Sequence, residues 1–230
     1  MNIPSVYINL DRRPDRKSHC QRILHSFENV TRVSAVDGGF VKYTTKDVFP
    51  YYDTRENRRW DKSIKLLRSI RMSPGEIGCA LSHLNVWRSM ETPLLILEDD
   101  ILLVNNFQTR LKKNLLSLPD DWHILYLGYM NPRENGLAQF ITPELCKAHF
   151  VFGTYAYLLN MQGRDILLSN LPIDRPVDNF IGSLCESNKL KAYAIHPPLI
   201  SQLEYGGENA DIVHTAHAKI SIQHIRNNIF

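Results

Sequence analysis

The chain has 230 residues, of which 43% are hydrophobic and 22% are charged, and its formal net charge is +3. This composition is that of an ordinary globular protein, and the length allows one domain with a substantial core or two small ones. So small a positive charge does not indicate nucleic-acid binding, although it suits an anionic small-molecule substrate.

The apolar runs and the cysteines indicate in which cellular compartment the protein is expected. The first ten residues lack the pattern of a signal peptide, and no apolar run approaches the roughly 20 residues that span a bilayer. The four cysteines are scattered without a CxxC pair, which is typical of free thiols in a reducing environment. We therefore expect a soluble, intracellular (cytoplasmic) protein without a membrane span, and the sequence does not indicate an oligomeric state.

The N-terminal residues predict a β-α-β unit. Residues 6–10 are β-branched and apolar, residues 16–27 have a helical mixture with Pro14 suited to its first turn, and residues 31–36 predict a second strand. Such units build parallel sheets, which bind nucleotides at the carboxyl ends of their strands. Asp37 and Gly38 follow the second strand at that edge, although the pair is equally compatible with a simple turn.

A polar turn over residues 9–16 connects the first strand to the first helix. Arg12 and Arg13 suit phosphate, which also binds at helix N-termini, and Asn9 and Asp11 are candidates for contacts with a base or ribose. The alternative is that these arginines and aspartates only pair with each other on the surface.

Residues 40–60 are polar, aromatic and poorly periodic, which predicts a long loop. Its aromatic rings either stack on an acceptor sugar or fix the loop to the core. A helix should follow, because Ser73 can cap it, Pro74 suits the first position and Glu76 completes a capping box. We expect this helix to end near Met90.

The remaining pattern continues the alternation of strands and helices. It indicates an α/β fold with a mostly parallel central sheet flanked by helices, in a single domain over residues 1–230. The expected strands are 94–97, 123–127 (followed by Gly128), 151–160 and 191–195, and the expected helices are 107–118, 163–170 and 178–187.

Three consecutive acids, Glu98, Asp99 and Asp100, directly follow the apolar strand 94–97, and we call them the acidic triplet. Carboxylates so close together repel each other unless a cation lies between them. Mn²⁺ or Mg²⁺ prefers such oxygen ligands and can bridge a diphosphate. The alternative is a solvated acidic turn, but the preceding buried strand favours a ligand site at the sheet edge.

An ordered set of motifs resembles glycosyltransferase family 25, which includes bacterial lipooligosaccharide galactosyltransferases, procollagen hydroxylysine galactosyltransferases and giant-virus relatives. No single motif is decisive, but the set covers roughly residues 7–213. The matching segments are 9–16, 36–38, 74–83, 96–100, 126–128, 153–157, 176–178 and 197–202.

The resemblance implies a GT-A fold, a UDP-sugar donor, Mn²⁺ (or Mg²⁺) and inversion at the anomeric carbon. The acidic triplet is the counterpart of the family's DXD motif, with Glu in the first position, which leaves open which two carboxylates bind metal. We assign Glu98 and Asp100 to the metal and Asp99 to the donor, with Asp211 as a further metal ligand. The implied nucleotide-sugar-binding residues are Asn9, Asp11, Arg12, Arg13, Asp37, Gly38, Glu76, Ser82, His83, Asp99 and Gln202.

Inverting transfer needs a base that deprotonates the acceptor hydroxyl. Asp178, at the expected start of a helix, is the first candidate, and Asp174 and Glu204 are poorer ones. The alternative role for Asp178 is that of a helix cap.

The predicted activity is transfer of galactose or glucose from a UDP-sugar to a hydroxyl of a glycan or a hydroxylysine-type peptide acceptor. One alternative is a metal-dependent phosphohydrolase or nucleotidyltransferase, which a second carboxylate cluster would favour. The other is a non-catalytic nucleotide-sugar-binding module.

Overall fold

The computed structural model describes residues 3–41, 46–55, 69–130 and 136–203, and the strands of these segments form one large and one small sheet. The strands are β1 Ser5–Asn9, β2 Val30–Ser34, β3 Tyr51–Asp53, β4 Ser69–Arg71, β5 Leu94–Glu98, β6 Ile101–Leu103, β7 Ile124–Met130, β8 Leu137–Phe140, β9 Leu145–Ala148, β10 Phe152–Leu159, β11 Ala192–Ile195 and β12 Ile200–Gln202.

Five α-helices lie between these strands, within the described part of the chain. Each was predicted from the sequence, with ends that differ by up to a few residues, as is common at helix termini. They are α1 Pro14–Ile23, α2 Pro74–Ser89, α3 Phe107–Leu115, α4 Met161–Ser169 and α5 Val177–Glu186. None of the helices described is long and apolar enough to cross a membrane.

The large sheet has the order β2-β1-β5-β10-β7-β11-β9-β8. β1 pairs in parallel with β2 and β5, and β7 pairs in parallel with β11. β10 lies antiparallel between β5 and β7, and β9 is antiparallel to β11 and β8. Six strands on this path (β1, β2, β5, β7, β8 and β11) therefore share one direction, which confirms the predicted α/β fold with a mostly parallel sheet.

Helices cover both faces of this sheet, and successive residues of its strands face opposite sides. Ile96 of β5 belongs to an apolar cluster with residues of α2, α4 and α5, whereas its neighbours Leu95 and Leu97 belong to a cluster with residues of α1 and α3. The sheet is thus the middle layer of three, and its strand ends are the places left open for a site.

Helix α2 begins as its sequence predicts. The Ser73 side chain accepts a hydrogen bond from the Glu76 amide at 3.2 Å, and the Glu76 carboxylate accepts one from the Ser73 amide at 2.7 Å. This capping box satisfies two amides that would otherwise lack partners, and it fixes where α2 starts beside the sheet edge.

Two predictions about strands were wrong. The expected loop over residues 40–60 contains β3, which pairs with β4 through Tyr52 and Ile70 and buries the Tyr52 ring. Two three-residue strands are too short to show a period in the sequence. The strand expected over residues 123–127 is longer than predicted, because β7 runs on to Met130. A side chain at Gly128 would lie 2.9 Å from the Ile200 side chain of β12, so glycine is needed there for the close approach of β12.

The loop after β2 packs directly on the first turn of α2. A Cβ atom on Gly38 would lie 1.6 Å from the Pro74 carbonyl oxygen, whereas among the described residues a Cβ on Gly39 would meet only the Asp37 carboxylate, at 3.4 Å. Glycine at position 38 therefore allows α2 to approach the end of β2.

We predict that Gly38→Ala lowers the free energy of unfolding by at least about 1–3 kcal/mol, because backbone must move to admit the methyl group. Gly39→Ala is the matched control and should change stability by less than about 0.5 kcal/mol. Urea denaturation measures both variants, and equal effects would contradict this account of the contact.

Candidate functional site

A cavity of about 800 Å³ opens at the carboxyl ends of β1, β2 and β5. Its walls also include the first turns of α2 and α5 and the start of β10. The sequence-predicted residues that line it are Arg12, Arg13, Asp37, Gly38, Glu76, Ser82, His83, Glu98, Asp99, Asp100, Asp178 and Gln202.

Asp99 is the most firmly held carboxylate of the acidic triplet and is only 6% exposed. It accepts hydrogen bonds from the Asn9 amide at 2.6 Å and from the Arg16 guanidinium at 2.9 Å. The same Arg16 nitrogen lies 3.2 Å from an Asp100 oxygen. Arg16 thus joins two of the three carboxylates, and Asn9 supports the site from behind rather than lining the cavity.

Glu98 is held from β10 and α2. Its Oε1 accepts a hydrogen bond from the Thr154 hydroxyl at 2.6 Å and lies 3.7 Å from Nε2 of His83. His83 is fully buried, and its Nδ1 lies 2.8 Å from the Tyr157 hydroxyl. The Tyr157 oxygen accepts a second hydrogen bond, from the Trp87 indole, at 2.9 Å. These contacts orient both the imidazole and the carboxylate at the wall of the cavity.

The acidic triplet carries more negative charge than this part of the structure compensates. Burial, followed by the charge of Glu98, raises the pKa of Asp100 to about 7, and burial also raises the pKa of Asp99. Oδ1 of Asp100 is buried and accepts no hydrogen bond from any described residue. A divalent cation with oxygen preference fits this arrangement, because it would supply both the missing charge and a partner for that oxygen.

Arginines from the N-terminal turn and from α1 form another part of the wall, called the N-terminal wall, where Arg12, Arg13 and Arg16 line the cavity. Nε of Arg12 lies 2.7 Å from Asp37, and Arg13 lies 2.7 Å from Asp15. These arginines and aspartates therefore do pair with each other, which was the alternative to phosphate binding considered from the sequence. These salt bridges do not exclude anion binding, since the three arginines also line the cavity.

Asp11 pairs with residues of β2 instead of lining the cavity. Its carboxylate pairs with the Arg32 guanidinium and accepts a hydrogen bond from the Ser34 hydroxyl at 2.8 Å. Asp11 is not among the residues that line the cavity, so its assignment to a nucleotide remains a prediction.

Glu76 and Ser82 line the cavity from α2 and also have structural contacts. Glu76 closes the capping box of α2, and the Ser82 hydroxyl accepts a hydrogen bond from the Val36 amide at 2.8 Å while donating to the Gly78 carbonyl at 2.7 Å. Their side chains therefore fix α2 to the loop after β2, whether or not they contact a ligand.

Asp178 lies in the first turn of α5 and lines the cavity from the β10 side. Oδ2 accepts a hydrogen bond from the Gly153 amide at 3.0 Å, and Oδ1 accepts one from the Asn179 amide at 2.8 Å. The carboxylate is thus fixed in orientation. The alternative role of helix cap was wrong, because the N-cap of α5 is Pro176 and Asp178 lies within the first turn, and the position of Asp178 on the cavity wall is compatible with a base.

Gln202 enters the site through pairing that the sequence did not reveal. β12 is antiparallel to β6, with Gln202 opposite Ile101, and the Leu203 amide donates to the Asp100 carbonyl at 2.7 Å. This pairing brings the end of β12 beside the acidic triplet. The other predicted metal ligand, Asp211, and the alternative base Glu204 lie outside the described residues.

Sequence reasoning did not assign roles to Arg16, Thr154 and Cys79, although all three line the cavity. Arg16 lies in the quoted segment 9–16, and a helical projection of α1 would have shown that it faces the sheet edge. Thr154 gave no local signal, because only the antiparallel placement of β10 brings it to Glu98.

The fold and the site together define a class of protein. A Rossmann-like α/β layer structure, with an acidic triplet after a central strand and a cavity at the same sheet edge, is consistent with the GT-A fold of glycosyltransferases. The sequence comparisons identify the family within this class.

The chain belongs to glycosyltransferase family 25, because the family profile, described as glycosyltransferase family 25 (LPS biosynthesis protein), matches residues 3–181. It is 30% identical over 235 residues to procollagen galactosyltransferase 2 of Homo sapiens, covering 87% of this chain and 35% of that protein. It is also 28% identical over 231 residues to a Bos taurus protein named probable inactive glycosyltransferase 25 family member 3, covering 88% and 37%. The chain thus spans little more than a third of the length of these relatives.

We predict that Asp100→Asn stabilises the metal-free protein by on the order of 2 kcal/mol, or roughly 5 °C in Tm, by removing a buried charge. Because the folded-state pKa is raised to about 7, native Asp100 favours folding when protonated and loses that contribution as the pH rises to 7. The gain from the variant should therefore be larger at pH 8 than at pH 5, as measured by thermal denaturation.

Asp15→Asn is the control for this measurement. The Arg13 guanidinium holds the pKa of exposed Asp15 below its usual range, so its ionised form favours folding and the variant should give no stabilisation. An unchanged or lower Tm for Asp100→Asn at pH 8 would show that the buried charge is already compensated.

Hydrogen-bond partners also predict the tautomer of His83. The Trp87 indole can only donate a hydrogen bond, so the Tyr157 oxygen accepts it. The Tyr157 hydroxyl must then donate its own proton, and among the described residues His83 Nδ1 is the acceptor within reach. The neutral ring should therefore carry its proton on Nε2, facing Glu98.

Imidazole ¹⁵N NMR measures this tautomer directly. Tyr157→Phe should allow a mixture of tautomers at His83, whereas Tyr129→Phe, which removes a hydroxyl 3.1 Å from His196, should leave the His83 signals unchanged. A wild-type His83 protonated on Nδ1 would reverse the assignment.

Proposed function

We propose that the chain is a metal-dependent inverting glycosyltransferase that moves galactose or glucose from a UDP-sugar to a hydroxyl of a glycan or hydroxylysine-type peptide acceptor. The observation that carries this proposal is the under-compensated charge of the acidic triplet, in a cavity that also has arginines along one wall. Family membership supports sugar transfer, and this charge distribution supports a metal and a diphosphate.

Glu98 and Asp100 are the carboxylates that would hold Mn²⁺ or Mg²⁺, with Asp211 as the proposed further ligand. When bound, such an ion supplies positive charge that stabilises the departing diphosphate. Asp99 is fixed by Asn9 and Arg16, so we assign it to the ribose or sugar of the donor.

The N-terminal wall is the proposed diphosphate subsite. Arg12 and Arg13 line the cavity, and their guanidinium groups would balance the charge of the donor phosphates. Among the other predicted donor contacts, Asp37, Gly38, Ser82 and Gln202 border the same space.

Asp178 is the proposed base. In a single displacement, the acceptor oxygen forms a bond to the anomeric carbon, the bond to the diphosphate oxygen breaks with its electron pair, and the acceptor proton passes to the Asp178 carboxylate. The amides of Gly153 and Asn179 hold that carboxylate in place, which limits the reorientation needed for proton transfer.

The non-catalytic binding module remains a second candidate, because the bovine relative is named probable inactive at similar coverage of this chain. The two candidates share the donor site and differ in turnover. A phosphohydrolase, the third possibility, would release inorganic phosphate from the nucleotide.

Thermal denaturation with UDP, with and without Mn²⁺, tests the donor site. Ligand at 100 times its Kd stabilises the folded state by about 2.7 kcal/mol, and we expect this stabilisation to require Mn²⁺. A chain whose Tm does not respond to UDP in the presence of Mn²⁺ would rule out the proposed donor site.

Turnover is tested with UDP-galactose and UDP-glucose, scored by UDP release in the presence of Mn²⁺ and a panel of hydroxylysine peptides and glycans. Asp178→Asn should keep Mn²⁺-dependent UDP binding but lose transfer by about 10²-fold or more. Asp174→Asn, four positions earlier, is the control and should retain transfer. A fully active Asp178→Asn variant would exclude Asp178 as the base.

A further inference from the structure

A group of three different metal-binding side chains lies along one wall of the cavity. Cys79 and His83 are four residues apart on α2 and so share a face of the helix, and Glu98 reaches them from the end of β5. The thiol sulfur, an imidazole nitrogen and a carboxylate oxygen all lie within 4.8 Å of one another.

The metal-binding atoms of this group differ from the carboxylate oxygens proposed to hold Mn²⁺ or Mg²⁺. Sulfur, nitrogen and oxygen ligands together favour Zn²⁺, whereas Mn²⁺ and Mg²⁺ favour sites made of oxygen alone. One thiolate and one carboxylate would also balance the charge of a divalent ion, with the imidazole neutral.

The spacing suits a small tetrahedral ion. Zinc bond lengths place neighbouring ligand atoms about 3.3–3.6 Å apart, and His83 Nε2 already lies 3.7 Å from Glu98 Oε1. The Cys79 sulfur lies within 4.8 Å of both atoms, so binding of the ion would have to shorten that separation. The fourth position would face the cavity, which all three residues line.

Glu98 and His83 each have a hydrogen-bond partner that holds the side chain in place. Thr154 donates to Glu98 at 2.6 Å, and the Tyr157 hydroxyl lies 2.8 Å from His83 Nδ1, which leaves Nε2 directed at Glu98. Partners of this kind commonly orient metal ligands and raise affinity. When Nε2 binds a metal, the ring proton moves to Nδ1, where the Tyr157 oxygen can accept it.

We propose that Cys79, His83 and Glu98 form a Zn²⁺ site beside the acidic triplet. Bound Zn²⁺ occupies Glu98 and so excludes the oxygen-ligated metal, which makes zinc an inhibitory ion for donor binding. The existence of the zinc site is independent of the proposed function, and only its inhibitory effect rests on that function.

Cobalt is the probe for this site, because Co²⁺ takes zinc-like geometry and its bond to a thiolate gives a near-ultraviolet charge-transfer band. We expect one equivalent of Co²⁺ to produce the band in the purified chain without nucleotide, and Zn²⁺ to displace it. Cys79→Ser should abolish the band and weaken Zn²⁺ binding by at least about 10–100-fold.

Cys146→Ser is the matched control, because the Cys146 thiol is buried and contacts the Ala194 carbonyl rather than the cluster. It should retain the band and the Zn²⁺ affinity. Absence of the band in the wild-type chain, or its persistence in Cys79→Ser, would overturn the proposal.

Alkylation of the wild-type protein gives a second measurement that needs no variant. Zn²⁺ should slow modification of Cys79 by iodoacetamide, as followed by peptide mass mapping, whereas Mg²⁺ should not. Equal protection by both ions, or none by Zn²⁺, would contradict the site. Because neither experiment includes UDP, failure of the zinc site and failure of the UDP-sugar site are distinguishable.

Discussion

The buried negative charge of the acidic triplet, at the end of β5, is the constraint that determines which residues surround it in the site. The Arg16 guanidinium pairs with two of the three consecutive carboxylates, Asp99 and Asp100, and the pKa of Asp100 is raised to about 7 by its burial and by Glu98. Such an arrangement costs stability in the free protein and becomes favourable once a cation enters. The hydrogen bonds from Asn9 and Thr154 keep two of the carboxylates from rotating into solvent to relieve the repulsion.

Close backbone packing determines which residues face this charge. Gly38 and Gly78 lack side chains where the loop after β2 meets α2, and a Cβ on Gly78 would lie 2.6 Å from the Val36 carbonyl oxygen. The approach aligns one face of α2 with the end of β5. Cys79 and His83 therefore reach Glu98, which is the one carboxylate that the proposed oxygen-ligated metal and the proposed zinc site share.

Local patterns predicted the parts of the site that lie within single segments. The capping box at Ser73 and the acidic triplet after an apolar run were predictable because each depends on neighbours in sequence. The placement of Thr154 was not, since nothing in the segment 151–160 indicates that β10 runs antiparallel between β5 and β7. Gln202 was assigned from the family resemblance, but its route to the site, through β12 and β6, depends on pairing across about 100 residues that no local signal encodes.

The hydrogen bond between Asn9 and Asp99 joins residues 90 positions apart, and the one between Glu98 and Thr154 joins residues 56 apart. During synthesis, β1 has no partner on its β5 side until the first hundred residues have emerged, and Glu98 lacks its β10 contact until some fifty more follow. Contacts this distant in sequence form late and slow the search for the native state. A nascent or truncated chain that ends before β10 would therefore expose the edge of β5 and leave Glu98 without its Thr154 contact, so the site is completed only when the sheet is assembled.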